Sequence, residues 1–177
     1  MKSIYKTITI TTVIILIFIA AGFGIYFSLD KYYNRPITKM PEQILTQQKT
    51  KMIELEKKSN LNIEERLNLA GCYITLQQYD KAIDVCQKLT TVDNRAYWCL
   101  ALTYDNTGNY KQVIINTNQI LNDYPKLPEE KLNTQMQIFY QLRAKANWKL
   151  KKYKDWFINI CKALKYAVLD KTLIILQ

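Results

Sequence analysis

Three stretches of this chain follow one pattern: LQQYDKAI at 76–83, TGNYKQVI at 107–114 and LKKYKDWF at 150–157. Each runs polar pair, tyrosine, polar pair, apolar pair. A turn written three times constrains the fold more than any single motif does. It implies a unit that cannot bury its apolar face alone and must stack on a copy of itself. The tyrosines are Tyr79, Tyr110 and Tyr153, at spacings of 31 and 43.

Apolar residues of helical period lie on both sides of each tyrosine. Before the turn they are Leu69, Ala70, Tyr73 and Leu76, then Tyr97, Leu100, Ala101 and Tyr104, then Tyr140, Ala144 and Leu150. After it they are Ala82, Ile83, Cys86 and Leu89, then Val113, Ile114, Thr117 and Ile120, then Trp156, Phe157, Ile160 and Ala163. Spacings of three and four put each set on one helix face. Each unit therefore reads as helix, tight turn, helix. The tyrosine ring closes the two helices while its hydroxyl stays in water. The small Ala70, Ala101 and Ala144 let the helices approach closely.

The units resemble the tetratricopeptide repeat, a helix pair of about 34 residues. That pattern has an aromatic, Leu-Gly/Ala and Tyr on the first helix, Gly-x-Tyr at the turn, then Ala and a large residue, with Pro often following. The middle unit matches best, through Tyr97, Leu100-Ala101, Tyr104, Gly108-Asn109-Tyr110 and Pro125. The first has Leu69-Ala70, Tyr73, Tyr79 and Ala82, with Gln77 where the turn glycine belongs. The third diverges, as Arg143-Ala144, Asn147, Tyr153 and Trp156, and follows an insertion, DYPKLPEEKLNTQ, whose prolines mark a loop before a new helix. The resemblance covers about 60–168. It implies an all-α chain with an α-solenoid of about three such repeats over 60–170 and an apolar tail at 171–177. Pro41 and the stripe Ile44, Leu45, Met52, Ile53 and Leu55 predict one more helix within 41–59. Asn62 with Glu65 reads as a capping box for the first repeat helix.

Residues 7–29 carry no charge, and a helix of that length is roughly 35 Å long, enough to span a bilayer with some tilt. The run is longer than the apolar region of a cleaved signal, so a retained transmembrane helix is expected. Residues 1–6 are then a short basic leader and 30–59 a juxtamembrane linker and helix, with Tyr32 and Tyr33 at the interface. Basic residues flank the run almost equally. The leader is expected in the cytoplasm and the repeats outside it, in a bacterial inner membrane, with a thylakoid or plastid membrane as the alternative.

The chain has no histidine, which removes His bases, Ser-His and Cys-His pairs and His metal ligands. Its serines are Ser3, Ser28 and Ser59, in or beside the apolar run and the linker. Cys72, Cys86, Cys99 and Cys161 form no CxxC, and are read as small buried apolar side chains in preference to disulfides. Glu64-Glu65 and Glu129-Glu130 are adjacent on helices, point apart and suit helix starts. No enzyme, cofactor or metal is expected. Of the net +10, residues 131–177 supply a surplus of eight, from ten bases and two acids. Such an end suits anionic lipid or an acidic protein. Nucleic-acid binding through 143–154, where Trp148 and Tyr153 interleave with bases, is disfavoured by a membrane tether.

The resemblance implies a concave groove lined by first helices. Its partner-binding positions in this chain are Leu67, Ile74, Arg95, Trp98, Leu102, Ile138, Lys145, Trp148 and Lys149, and Glu64, Gly71, Thr75, Asp105, Asn106 and Gln141 stand at the same set of groove offsets. Trp98 and Trp148, read as exposed beside Arg or Lys, are the residue types that anchor interfaces. The Lys, Asn and Arg clamp that captures chaperone carboxylates in one subclass is missing. The function expected is a membrane-anchored protein-interaction module, a scaffold or assembly factor for a membrane complex. The alternatives are a stoichiometric subunit of such a complex, or a groove filled by the chain's own 41–59 helix or tail.

Overall fold

The computed structural model describes residues 28, 30–34, 40–123 and 129–175, with side chains placed at 28, 30–34, 40–122 and 135–167. The leader at 1–6 and all of the apolar run at 7–29 except Ser28 lie outside the described residues. Among the described residues no helix is long and apolar enough to cross a membrane. The chain divides into two units, Met1–Lys39 and Met40–Gln177. In the first, a helical turn closes where Asn34 N–H donates to the Asp30 carbonyl at 2.9 Å, and the Tyr32 and Tyr33 rings meet edge-on at 5.2 Å.

The second unit is all helical, with no strand among its described residues. Its helices are α1 (Glu42–Glu56), α2 (Ile63–Thr75), α3 (Tyr79–Leu89), α4 (Arg95–Asn106), α5 (Tyr110–Asp123), α6 (Glu129–Lys149) and α7 (Tyr153–Ile175). Each helix packs on the next, and α2 also packs on α4. The arrangement is repeat-like, a series of helix-turn-helix pairs α2–α3, α4–α5 and α6–α7.

The three turns share one backbone. Gln77, Gly108 and Lys151, each two residues before its tyrosine, have positive φ of 60°, 75° and 59°. The next residue donates back across the turn each time: Gln78 to Tyr73, Asn109 to Tyr104 and Lys152 to Asn147, all at 2.8 Å. The left-handed residues donate to Ile74, Asp105 and Trp148 at 3.1, 3.2 and 2.9 Å. These paired bonds are the Schellman motif, which satisfies the last carbonyls of the first helix and sends the chain back on itself. The thrice-written sequence is thus a thrice-built turn. The longer second spacing is absorbed in α6, which has 21 residues where α2 has 13 and α4 has 12.

The expected capping box is present. Glu65 N–H donates to Asn62 Oδ1 at 2.9 Å, and Asn62 N–H to Glu65 Oε2 at 3.0 Å. Ala70, Ala101 and Ala144 are fully buried, as close helix approach requires. Met52 and Leu55 of α1 join Leu69, Cys72, Tyr73 and Ala82 in one core cluster, so α1 covers the open side of the first pair. A second cluster joins Ala70, Cys86, Cys99 and Leu100 across the joint between the first two pairs. There Cys86 and Cys99 form a disulfide, with Cα atoms 6.2 Å apart. The reading of all four cysteines as plain apolar side chains is corrected for this pair; Cys72 is a buried thiol and Cys161 an exposed one. Helix α7 runs on to Ile175, into the apolar tail at 171–177.

Candidate partner-binding face

The first helices of the pairs are α2, α4 and α6, and charged residues of successive first helices meet. Glu64 lies in the first turn of α2, where a carboxylate suits the positive end of the helix dipole. Arg95 opens α4, and its Nη1 lies 2.6 Å from Glu64 Oε2. Arg95 also holds Asp93, through Nη2 at 2.8 Å and through its own backbone N–H at 2.8 Å. The Arg95 hydrogen bonds hold the Asp93 carboxyl below its ordinary range. Asp93 first and Glu64 second raise the guanidinium further above its usual value. Near the other end of α4, Lys145 Nζ of α6 donates to Asp105 Oδ2 at 2.6 Å. This second pair is the better shielded from solvent, and so the less screened.

The aromatic positions fall differently from expectation. Trp98 is half-buried and meets Phe139 of α6 edge-on at 4.9 Å, within the cluster of Ile120, Met136, Tyr140 and Ala163. It joins the second pair to the third. Trp148, expected as an exposed anchor, is only 6% exposed. The physical reason is the fold-back of α7. It sets Tyr153 at 5.3 Å and Trp156 at 5.2 Å, both edge-on to the Trp148 ring. Such aromatic pairs add to the burial of a large ring, and core is where it belongs.

Of the other predicted positions, Leu67, Ile74, Leu102, Lys145 and Lys149 are half-buried. Ile74 packs against both clusters around the first pair. Ile138 stands 42% exposed on α6. Gly71 is exposed, and a Cβ added there would meet nothing within 4 Å. Open space at Gly71, apolar surface at Leu67, Leu102 and Ile138, and charge at Arg95 and Lys145 make up the chemistry of this face. Helix α1 lies against α2, where its Gln48, Lys51 and Glu56 bond to Cys72, Asn68 and Tyr73, and Ile74 packs on the cluster that its Met52 and Leu55 join. The 2.7 Å bond to Glu56 and, foremost, burial push the Tyr73 hydroxyl up to about 12.

The sequence reading placed Glu64, Arg95, Asp105 and Lys145 on one face but did not pair them. The signal was available, since opposite charges stand at related offsets in successive units. Among the described residues no group of three His, Cys, Asp or Glu is placed to hold a metal.

No protein-family model matches the chain, and no solved structure matches it. A stretch of 61 residues, 33% of this chain, is 36% identical to FK506-binding protein 5 of Rhizopus delemar. That stretch covers 16% of the fungal protein.

Proposed function

We propose that this chain is a membrane-anchored protein-interaction module of the tetratricopeptide-repeat type, an α-solenoid that holds a client or a complex subunit beside the membrane. The observation that carries the reading is the triplicate Schellman turn. Three units with one backbone turn, built on alanines at equivalent positions, are what a stacked repeat requires. The face carrying Leu67, Ile74, Leu102 and Ile138 supplies apolar surface for a helix or extended segment, and Arg95, Lys145 and Lys149 add positive charge at its edges. Trp98 contributes the edge it leaves accessible. The anchor is the uncharged run at 7–29. The Cys86–Cys99 disulfide supports a repeat domain outside the reducing cytoplasm, on the far side of a bacterial inner membrane. The basic end adds attraction for anionic lipid or an acidic protein. The module does no chemistry of its own in this reading.

The test is a pull-down of the full chain from its own membranes in mild detergent, with partners identified by mass. The variant to run beside wild type is Gly71→Arg with Ile138→Asp. Both sites are exposed, and the first has open space for a side chain, so helicity should hold. Proteins retained by wild type and lost from the variant support the face as the interface. The same proteins with both chains move the interface to the membrane run or the basic end and sink the groove. Recovery of the chain in the carbonate-soluble fraction would remove the anchor.

A further inference from the structure

A cavity of about 220 Å³ lies between the second half of α6, the α6–α7 turn and the first half of α7, with Ile114 of α5 in its wall. Arg143, Lys152 and Lys162 line it, and Asp155 is its one acid. None of the three cations comes within 4.0 Å of a carboxylate among the described residues. Arg143 Nε is buried and has no acceptor among the described residues. The nearest relief is the Tyr140 ring, 6.0 Å from the guanidinium and 5.3 Å from Lys162 Nζ. Burial pushes the Arg143 guanidinium below its ordinary value, with Tyr140 and Asp155 only partly opposing. Two buried amides complete the lining. Asn147 and Asn159 are 3% and 4% exposed, and each donates one N–H to the carbonyl four residues back, at 3.0 and 2.6 Å. A second N–H remains on each.

Three cations gathered in one cavity repel one another, and a buried donor without an acceptor costs stability. Both penalties vanish if an anion binds. The donors converge from three walls, α6, the turn and α7. A tetrahedral oxyanion presents acceptors in as many directions, and guanidinium forks match it.

We propose that this cavity is a binding site for a phosphate group. Arg143 supplies the fork, Lys152 and Lys162 supply two point charges, and Asn147 and Asn159 supply neutral donors. Asp155 offsets one of the three positive charges and leaves the lining net cationic. Every polar group of the site belongs to the third helix pair, with Ile114 of the second pair closing the wall, and none of them is a predicted partner-binding position.

The test is calorimetric titration of the full chain, in mild detergent at low ionic strength, with inorganic phosphate. The pocket variant is Lys152→Gln with Lys162→Gln, both exposed enough to spare the fold. The control is Lys151→Gln with Lys154→Gln, exposed lysines outside the cavity that remove the same charge. Wild type should bind saturably, the pocket variant should lose at least about tenfold in affinity, and the control should stay near wild type. No saturation by wild type, or equal losses in both variants, overturns the site. A second titration with monomeric short-chain phosphatidic acid separates the sources. Binding tighter than phosphate and lost in the pocket variant assigns a lipid headgroup. Binding no tighter assigns free phosphate or a soluble ester.

Discussion

Gln77 and Lys151 hold a backbone conformation that costs an L-residue about 1–2 kcal/mol and glycine almost nothing. Gly108 occupies the same position in the middle unit without strain. Gln77→Gly and Lys151→Gly should therefore each stabilise the fold, by up to about 1 kcal/mol after the added freedom of the unfolded chain is counted. Urea midpoints measure this, and a decrease in either variant would contradict a shared turn. The sequence showed where the turns lie, and it showed that Gln77 departs from the glycine pattern. It did not show that the departure is absorbed as strain rather than as a different turn. Trp148 marks the limit at this scale. Its offset was legible, but its burial depends on Tyr153 and Trp156 of the following helix, and offset rules do not see the next helix. Trp148→Ala should cost about 3–5 kcal/mol, the range for a large ring removed from a core. Ile138→Ala, at an exposed site, should cost far less, and similar losses would mean that the two positions share one environment.

At the scale of elements, the helix starts carry the pH dependence. The Lys58 hydrogen bond first, and the Asn62 backbone second, lower the Glu65 carboxyl from its ordinary 4.5. Arg95 likewise lowers Asp93 from 3.8. The unfolded chain then takes up protons at higher pH than the folded one, so stability rises with pH across this range. The contribution is complete above about pH 4.5 and is lost as pH falls through the lowered values. Urea midpoints should fall from pH 5 toward pH 3, less steeply in Glu65→Gln; identical slopes would remove Glu65 from the cause. The capping box that produces part of this effect was readable from Asn62 and Glu65 alone, because its partners lie within one turn. So was α1, from Pro41 and its apolar stripe. The length of α6 was not, because prolines mark where a helix starts and nothing local marks how far it extends.

Across the whole molecule, what holds one pair to the next is chemically varied: the Glu64–Arg95 pair and the disulfide at the first joint, Asp105–Lys145 and Trp98–Phe139 at the second. Reduction of the disulfide should lower stability by about 3 kcal/mol, from the chain entropy restored to a loop of this size. An unchanged urea midpoint with and without reductant would show that the bond contributes nothing. The stacking of pairs was legible in the repeated turn. The means of joining was not, since it depends on residues 13 to 41 positions apart. The disulfide also has a topological effect. Lys88, the 63%-exposed Val92 and Arg95 all lie between its two cysteines. A protease that cuts once in this segment severs the backbone without parting the fragments. A nicked chain would migrate as one band until thiol is added, and then as two.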